Sequence, residues 1–468
     1  MRSILLLGVL SGAGYAMPFE QCPTQAFLFQ DPVTKVYGVD LATGKSQLLS
    51  VDLGISGTNN AVGFNQTDRY VYGFNKDHRQ VIRVGQDLQA ELLPVQGLPS
   101  GVHFFVGDVF NNQYWLYRKN LGLYRIELDP NAADYLVATK LTGADTFLNL
   151  TDFAFHPSDG YLYAVDNNLG QLFQIDPADG WAFSVADLGI QGTFGAAYFE
   201  QSGFMYISRN SDGQIFRIDV RDGTAVPNEA TLFAYGPASG QNDGARCANA
   251  PVTPSNVDFG DAPASYGTLL ADNGARHSVA DNNPTLGQSV DTENDGQQAP
   301  FSDDIANNNE LDDEDGVLIM TAMEAGQKAL ALVTVTGRGG YLQGFFDWNR
   351  DGQFDEQNEW AIYDHYLSEG EHRVLFDVPN DVHEGSSFAR FRFSSLTGVG
   401  AIGGAADGEV EDYPVAFSHN PVSYRYYPSA GEWATLAFED HWPRQADYDM
   451  NDLVLGIRIT EVWQQRQL

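Results

Sequence analysis

Short alternating strands separated by polar turns run along almost the whole chain, and helical periodicity is nearly absent. Between residues 26 and 236, an aromatic strand, a polar turn and a second apolar strand recur. Successive aromatic starts, at Tyr70, Tyr114, Tyr161 and Phe204, lie 44, 47 and 43 residues apart. A period of about 40 to 50 residues with this content is typical of propeller blades. The pattern predicts an all-β protein that begins with a β-propeller over residues 17–250.

The repeats also indicate how many blades there are and how the propeller closes. Five units are visible, and three of them follow another short strand: AVGF, FAFHP or AAYF. The first unit, KVYGVDLATG at 35–44, lacks a leading strand, as expected when the two ends of the propeller share one blade. We expect five blades, with six as the alternative. An irregular sandwich of hairpins is the other interpretation of the period.

Cys22 and Cys247 are the chain's two cysteines, and they bracket the repeat region. An even pair in an oxidising compartment favours a disulfide, which would pin the closure of the propeller. Two buried thiols are the alternative.

A change of composition at residues 251–257 predicts a linker. Beyond it, strands with turns between them predict a β-sandwich over 258–417. The predicted strands are KALALVTVTG, YLQGFFDW, HRVLFDVP and SFARFRFS. Residues 418–468 predict a short β segment at the C-terminal end of the sequence.

Residues 1–16 have the pattern of a signal peptide, with Arg2, an apolar run over 4–10, and small residues at Gly14 and Ala16. No later apolar run is long enough to cross a bilayer, so we expect no transmembrane segment in the mature chain. The predicted location is outside the cytoplasm: secreted, or at the bacterial cell surface or in the periplasm.

The charge is strongly acidic, with 62 acidic and 26 basic residues and a formal net charge of −36. Such a chain repels phosphate, which excludes a general nucleic-acid binder. Residues 258–417 hold 30 acidic and seven basic residues, a net charge of −23. The charge is therefore concentrated where multivalent cations would be bound.

The segment DWNRDGQFD at 347–355 carries the strongest candidate chemistry. Oxygen-bearing side chains recur at alternate positions, and Gly352 sits where the loop must turn, as in calcium loops. Asn358 holds the position of the usual closing Glu, and Glu359 comes one residue late. We predict a calcium loop between two strands; a solvated Asp/Asn/Gly turn is the alternative. The predicted ligands are Asp347, Asn349, Asp351, Gln353, Asp355 and Glu359.

Other acidic groups are further candidates for metal binding. Clustered carboxylates repel one another unless cations compensate, and Glu409 and Glu411 would share one face of a strand. Either they complete the site begun by Asp347, or they form a separate one, or they are a solvated loop. The additional candidates are Asp312, Asp313, Asp315, Glu409, Glu411 and Asp412. His277 is expected to be a hydrogen-bonded structural residue rather than a metal ligand.

Five motifs in the acidic region resemble, in order, the bacterial GEVED domain. They are VDFGDAPASYGTLLADNGARHSV, LGQSVDTENDGQ, LDDEDGV, the DWNRDG loop and GGAADGEVEDYPV. The resemblance covers nearly all of 258–417. It implies a β-sandwich module of large secreted and surface proteins, with no catalytic centre to carry over.

The C-terminal segment, with FEDHWP and DYDMNDLV, resembles the start of the LruC-type C-terminal domain, which is found in exported and outer-surface bacterial proteins. The resemblance covers only the opening portion of that domain. Alternating oxygens recur here and predict a second calcium site, made of Asp447, Asp449, Asn451 and Asp452.

These features favour an exported, calcium-binding, non-catalytic protein that acts in surface adhesion, recognition or envelope structure. Its partner would be an extracellular protein or glycan. The alternative is a secreted propeller hydrolase or lactonase-like enzyme with a metal site in the channel. Its candidate residues are His103, Asp108, Asp152, His156 and Asp166. A third interpretation is a structural module whose ions are incidental.

Overall fold

The computed structural model describes residues 16–224, 229–280, 282–296, 314–355, 357–419, 422–438 and 453–464. The chain divides into two compact units, Met1–Thr253 and Pro254–Leu468, so the boundary falls inside the stretch predicted as a linker. The described residues form no α-helix, and none of their helices has the length and hydropathy needed to cross a membrane. Three single-turn 3-10 helices, Ala264–Tyr266, Leu270–Asp272 and Gln357–Glu359, belong to the second unit.

Twenty strands build the first unit. They are β1 (Ala26–Gln30), β2 (Lys35–Val39), β3 (Ser46–Ser50), β4 (Asn59–Asn65), β5 (Tyr70–Asn75), β6 (Gln80–Val84), β7 (Ala90–Leu93), β8 (Val106–Phe110), β9 (Gln113–Arg118), β10 (Gly122–Glu127), β11 (Ala138–Lys140), β12 (Ala154–Phe155), β13 (Leu162–Asp166), β14 (Gln171–Ile175), β15 (Ala182–Asp187), β16 (Phe194–Phe199), β17 (Phe204–Arg209), β18 (Gln214–Asp219), β19 (Thr231–Tyr235) and β20 (Asn242–Ala245).

These strands form the five antiparallel blades of a β-propeller. From the axis outward, the blades are β20-β1-β2-β3, β4-β5-β6-β7, β8-β9-β10-β11, β12-β13-β14-β15 and β16-β17-β18-β19. The five inner strands contact one another around a closed ring. The prediction of an all-β fold with five blades is confirmed.

The first blade is completed by a strand from the far end of the unit. β20 pairs with β1, placing Gly244 opposite Leu28. Beside this closure, Cys22 and Cys247 form the predicted disulfide, with their Cα atoms 5.7 Å apart. One detail of the repeat alignment was wrong. KVYGV is β2, the third strand of its blade, and AFLFQ in β1 holds the place of the later aromatic strands.

Apolar side chains fill the gaps between successive blades. Phe29 and Phe64 share the core cluster between blades 1 and 2, and Tyr72 packs with Tyr114 between blades 2 and 3. The next two gaps hold Trp115 with Phe155 and Tyr163 with Phe199. Each buried aromatic or aliphatic side chain contributes roughly 1.5 to 3 kcal/mol. Aromatic residues recur once per unit because each blade must fill one such gap.

The Asp-x-x-x-Gly turns fix the hairpins within the blades. In the turn after β2, the Asp40 carboxylate accepts the amide of Ala42, and Gly44 has a φ of 76°. In the turn after β14, the Asp176 carboxylate accepts the amide of Ala178, and Gly180 has a φ of 78°. Aspartate favours this turn by bonding its own backbone two residues on, and only glycine adopts the positive φ at little cost.

Sixteen further strands belong to the second unit. They are β21 (Val257–Phe259), β22 (Arg276–Ser278), β23 (Pro284–Leu286), β24 (Val317–Ile319), β25 (Met323–Glu324), β26 (Lys328–Gly337), β27 (Gly340–Phe346), β28 (Trp360–Leu367), β29 (Gly370–Asp377), β30 (Gly385–Ser394), β31 (Gly404–Ala405), β32 (Glu409–Ser418), β33 (Val422–Tyr427), β34 (Ala434–Phe438), β35 (Leu453–Ile457) and β36 (Ile459–Gln464).

Two sheets form the predicted sandwich. In one, β26 pairs with β29 along one edge and with β23 and β24 along the other. The second has the strand order β25-β32-β30-β27-β28. The core between them includes Phe346, whose ring lies 4.6 Å from Trp348 and 4.7 Å from Phe376. β22 pairs with β21 and, in parallel, with β31.

The C-terminal segment forms two separate two-stranded ribbons, β33-β36 and β34-β35. Apolar residues of the second ribbon are exposed, including Phe438 at 46% and Val454 at 54%. A ribbon of two strands buries little surface of its own.

Candidate metal centre

The predicted calcium loop lies between β27 and β28, as expected, and Asp347 lies at its base. This side chain is fully buried. Its Oδ2 accepts hydrogen bonds from the hydroxyls of Tyr266 at 2.6 Å and Ser387 at 3.0 Å, and from the amide of Gly352 at 3.1 Å. Its Oδ1 accepts the amide of Asp351 at 3.1 Å. A carboxylate offers about four lone-pair sites, so these donors use most of its capacity.

The other predicted ligands of this loop bond largely to one another. The Asn349 side chain accepts the amide of Asp351 and donates to its carboxylate. Asp351 in turn accepts the amide of Gln353. Asp355 is exposed, whereas Glu359 is buried at the end of the 3-10 helix that precedes β28. Turn chemistry therefore explains much of the alternation of oxygens, and calcium binding by this loop stays a prediction.

The acids of the GEVED sequence are buried and anchor other segments. Glu409 and Glu411 lie on one face of β32, where they accept the amides of Leu286 at 2.6 Å and Gly316 at 2.8 Å. Asp412 points to the opposite face and forms a buried ion pair with Arg390 at 2.8 Å. Each of these acids thus fixes a loop or strand that packs against β32.

Three carboxylates converge elsewhere in the second unit. One oxygen each of Asp258, Asp291 and Glu293 lies within 4.8 Å of the others. Asp258 is on β21, and a backbone bridge between Val257 and Glu293 brings the second segment beside this strand. We call these three residues the carboxylate cluster. Within the described part of the chain, it is the one group of three acidic, histidine or cysteine side chains close enough to share an ion.

The electrostatics of the carboxylate cluster favour a bound cation. Burial raises the pKa of Glu293 to about 11, and a hydrogen bond with Asp291 and the charge of Asp258 add to the shift. Asp258 is only 1% exposed. Adjacent carboxyl groups cannot all ionise without compensation. Without a cation, the cluster must therefore retain a proton at neutral pH.

The donor set fits a hard divalent cation. All three side chains offer oxygen, which suits calcium or magnesium and not the sulfur- and nitrogen-preferring zinc. One oxygen of Asp258 and one of Glu293 already accept the amides of Val410 and Phe259. Calcium binds oxygen at about 2.3 to 2.6 Å and tolerates irregular geometry. The cluster can supply carboxylate oxygens to such an ion, with water completing the shell.

The sequence contained a signal for this site that was not recognised. The motif LGQSVDTENDGQ places Asp291 and Glu293 two residues apart, so both carboxylates can face the same side of an extended segment. Asp258 lies more than 30 residues earlier, and periodicity alone does not connect it with them.

A second group of three acids lies at the axis of the propeller, on or beside the inner strands. We call Asp108, Asp152 and Asp243 the axial carboxyls. Each accepts the amide of the next residue in the chain and an amide from the following blade. The donors from the following blade are Phe155 for Asp108, Ala197 for Asp152 and Val62 for Asp243, at 2.8, 2.7 and 2.9 Å. These acids therefore tie neighbouring blades together.

Burial raises the pKa values of all three axial carboxyls. The pKa of Asp108 rises to about 7. Burial raises the pKa of Asp152 and Asp243 well above the ordinary value, and the carboxyl groups of these two residues hydrogen bond to each other. Asp108 is partly accessible, whereas Asp152 and Asp243 are buried.

The remaining channel candidates, His103, His156 and Asp166, are not among the axial carboxyls. The Nδ1 atom of His156 lies 3.3 Å from the amide of Ser158 and 3.2 Å from that of Asp159, in the turn after β12. Asp166 accepts the amides of Asn149 and Asn168 at a turn. His103 precedes β8. The axial Asp243 was missed because the closing strand β20 falls outside the visible repeats.

His277 has the structural role expected of it. It is fully buried, its Nδ1 lies 2.8 Å from the carbonyl oxygen of Asp407, and its Nε2 accepts a hydrogen bond from Arg392 at 2.9 Å. Burial and the neighbouring Arg392 hold its pKa well below the ordinary value. The imidazole is therefore neutral at physiological pH.

Several predicted ligands lie outside the described residues, namely Asp312, Asp313, Asp447, Asp449, Asn451 and Asp452. The exposed Asp315 accepts the amide of Gln288 at 2.8 Å and thereby supports the turn after β23.

Models of known families match part of each unit. Residues 25–249 match a family model described as a repeat of unknown function (DUF6923), and residues 341–416 match the model of the GEVED domain. The chain carries a DUF6923 repeat region and a GEVED domain. Neither match extends over 418–468, so the likeness of that segment to the LruC-type domain stays a prediction. No curated protein matches the chain.

Several solved structures are similar to the chain. A protein of unknown function from Bacteroides thetaiotaomicron shares 13% identity, with 43% of this chain and 54% of that one covered and a TM-score of 0.33. The chain thus spans about half the length of that protein. The gluconolactonase XC5397 from Xanthomonas campestris shares 14% identity, with 50% and 91% covered and a TM-score of 0.31. Virginiamycin B lyase from Staphylococcus aureus shares 11% identity, with 43% and 69% covered and a TM-score of 0.29. Similarity at this level carries no inference about activity.

Proposed function

We propose that this chain is an exported, calcium-binding, non-catalytic protein that acts in surface recognition, adhesion or envelope structure. The carboxylate cluster of Asp258, Asp291 and Glu293 carries the proposal. Three acidic side chains crowd one another there, and the pKa of Glu293 is raised to about 11. A bound calcium ion would replace the retained proton and remove the repulsion.

Calcium at this position would stabilise the second unit, Pro254–Leu468, which contains the GEVED match at 341–416 and which we call the GEVED unit. The cluster joins β21 to the segment that contains Asp291 and Glu293, and this segment is linked to β21 by one backbone bridge. Any ligand that binds only the folded state adds stability by mass action. An ion held by both segments would therefore fix the segment against the strand.

The disulfide of the propeller supports export. The Cys22–Cys247 disulfide joins residues 225 positions apart and closes the unit. Such bonds persist in oxidising compartments and are rare in the cytosol. The signal-peptide pattern of residues 1–16 agrees with this location. We therefore propose a secreted protein or one held at the bacterial surface or in the periplasm.

Isothermal calorimetry on residues 17–468, stripped of metal, tests the calcium site. We expect wild type to bind calcium in the micromolar to millimolar range usual for sensors and extracellular modules. The double variant Asp291→Asn, Glu293→Gln should lose this binding because both substitutions keep the shape and remove the charge. Asp243→Asn at the propeller axis is the matched control and should leave it unchanged.

A second double variant separates the two candidate sites. Asp351→Ala with Asp355→Ala alters the exposed end of the predicted calcium loop. If this variant loses the binding while the cluster variant keeps it, calcium belongs to the loop and our assignment is wrong. If wild type binds no calcium up to millimolar concentration, the proposal of a calcium-binding protein fails.

The enzyme alternative has one observation in its favour. Asp108 is partly accessible at the propeller axis, and its pKa of about 7 suits a general acid or base. Both of its oxygens, however, accept backbone amides, which suits a link between blades. A hydrolysis screen with ester and lactone substrates tests this alternative. Turnover that Asp108→Asn abolishes in a folded protein would favour the enzyme.

A further inference from the structure

We propose that exposed tyrosines on the outer face of strands β27 and β28 form a binding site for a neutral saccharide. The site consists of Tyr341, Trp360, Tyr363 and Tyr366, with Gln343 and Asp364 between them; we call it the aromatic ledge. It names a ligand class for the recognition role proposed above and rests on that role. It does not depend on calcium binding by the carboxylate cluster.

The rings form two pairs, one across β27 and β28 and one within β28. Tyr341 lies directly opposite Tyr366 across the strands, with ring centroids 5.4 Å apart. The rings of Trp360 and Tyr363 are 4.6 Å apart. Tyr363 is 63% exposed and Tyr366 is 60% exposed. Strand β28 is the edge strand of its sheet among the described strands, so this face is open at the side.

A buried polar side chain holds the ledge in place. Gln343 is 1% exposed, and its Oε1 accepts hydrogen bonds from the indole of Trp360 at 3.1 Å and the amide of Asp364 at 2.9 Å. Its amide nitrogen donates to the Asp364 carboxylate. That same carboxylate accepts the amide of Gly398 at 2.7 Å. The network fixes the Trp360 ring and the acid before any ligand arrives, which lowers the entropic cost of binding.

A β-bulge gives the ledge its shape. The pairing of β27 with β28 shifts register between Leu342 and Gly344, and Asp364 has a φ of 45°. A non-glycine residue in this region is uncommon, and bulges redirect side chains at functional positions. Ile362 and Leu367 are the residues of β28 that pack in the core. Tyr363 is not part of that core, so core packing does not account for its place on the strand. The irregular backbone is thus found beside the exposed face of β28.

The chemistry of the ledge selects a neutral polyhydroxylated ligand. Flat, rigid aromatic rings with polar edges supply contact area to an apolar face of a ligand and hydrogen bonds to its polar groups. The Asp364 carboxylate can accept hydrogen bonds from hydroxyl groups. The net charge of −23 over residues 258–417 repels acidic polymers and anionic membranes. A neutral saccharide presents both an apolar ring face and hydroxyl donors, and it meets no such repulsion.

Affinity electrophoresis of residues 17–468 tests the proposal. The gels contain laminarin, pullulan, hydroxyethylcellulose or galactomannan as neutral polymers, and alginate as an acidic one. We expect at least one neutral polymer to retard the wild type and alginate not to. Tyr363→Ala with Tyr366→Ala should weaken the apparent affinity about tenfold or more, consistent with the loss of two stacking rings. Leu318→Ala, on an equally exposed side chain of the other sheet, should change nothing.

A phenylalanine variant and a calcium control complete the experiment. The Tyr363→Phe, Tyr366→Phe variant retains the rings and should keep most of the binding, whereas a merely unfolded variant would bind nothing. The gels are run with calcium and with a chelator, so loss of calcium binding is distinguished from loss of saccharide binding. The proposal is overturned if no neutral polymer retards the wild type, or if the alanine variant is retarded equally. It is also overturned if the ledge instead holds a second copy, seen as a dimer that the alanine variant dissociates.

Discussion

Each unit of the molecule brings three buried or half-buried acidic side chains together, yet the two groups are built differently. At the propeller axis, every carboxyl accepts one amide from the next residue of the chain and one from the next blade. In the GEVED unit, Asp258, Asp291 and Glu293 direct oxygens toward one another, within 4.8 Å. Each axial carboxyl is held by two backbone amides, although Asp152 and Asp243 also hydrogen bond to each other. In the carboxylate cluster, Asp258 and Glu293 accept the amides of Val410 and Phe259, and the three acids crowd one another.

The contrast shows that acidic composition alone does not locate a metal site. A buried acid that accepts two amides has a structural role, because those buried donors would otherwise lack an acceptor. Acids that face one another need either a proton or a cation. The same reasoning separates Asp347, which accepts four hydrogen bonds, from the cluster.

The largest expected effect comes from opening the covalent closure of the propeller. Cys22→Ser with Cys247→Ser removes a link across 225 residues, which in the chain-entropy model is worth about 5 kcal/mol. We expect the unfolding transition of the propeller to move to a lower temperature in calorimetry, while the calcium-dependent transition stays in place. Movement of both transitions together would show that the units do not unfold separately.

Removing the carboxylate of a buried ion pair should lower stability nearly as much. Asp412→Ala leaves Arg390 fully buried without its carboxylate partner, which costs about 3 to 5 kcal/mol. Urea unfolding of the GEVED unit measures the loss. Lys328→Ala removes an exposed ion pair with Asp377 and is the matched control, with an expected change below about 1 kcal/mol.

Calcium should stabilise the GEVED unit and leave the propeller unchanged. At a free concentration of 100 times Kd, the expected gain is about 2.7 kcal/mol. Because the pKa of Glu293 is about 11 without the ion, binding at pH 7.5 should release a proton, and affinity should rise with pH. Calorimetry in two buffers of different ionisation heat counts the proton. Binding without proton release would mean that Glu293 is not a ligand.

Removing an axial carboxyl should have a smaller effect. Asp243→Ala deprives the amides of Val62 and Gly244 of their acceptor, at a cost of about 1 to 3 kcal/mol for the buried donors. Chemical unfolding of the propeller measures this change. The heat of calcium binding should be the same as in wild type, and a loss of that heat would place the ion at the axis.

The pH dependence of the propeller should report the raised pKa of Asp108. The pKa of Asp108 is raised from 3.8 to about 7, so between these values the folded state keeps a proton that the unfolded chain has lost. Its contribution to stability is therefore complete below about pH 4 and declines as the pH rises to about 7. Urea midpoints at pH 4.5 and 7.5 test this, and Asp108→Asn should flatten the profile. A profile that rises with pH in wild type would contradict the assigned pKa shift.

Local patterns predicted most of the fold, because strands, turns and blade repeats depend on residues that are close together in the sequence. The strand over 328–337, the disulfide and the position of the loop at Asp347 all follow from such patterns. The carboxylate cluster does not, since the bridge between Val257 and Glu293 joins segments over 30 positions apart in the chain. The axial Asp243 belongs to a strand that only the closure of the ring brings to the axis. Alternating oxygens marked the loop at Asp347, where the structure shows a hydrogen-bonded turn.

The most direct test is a crystal grown with calcium and measured at a wavelength where calcium scatters anomalously. We predict a peak between the carboxylates of Asp258, Asp291 and Glu293, with calcium–oxygen distances of about 2.3 to 2.6 Å. No peak at these residues, or a peak confined to the loop that begins at Asp347, would contradict the account.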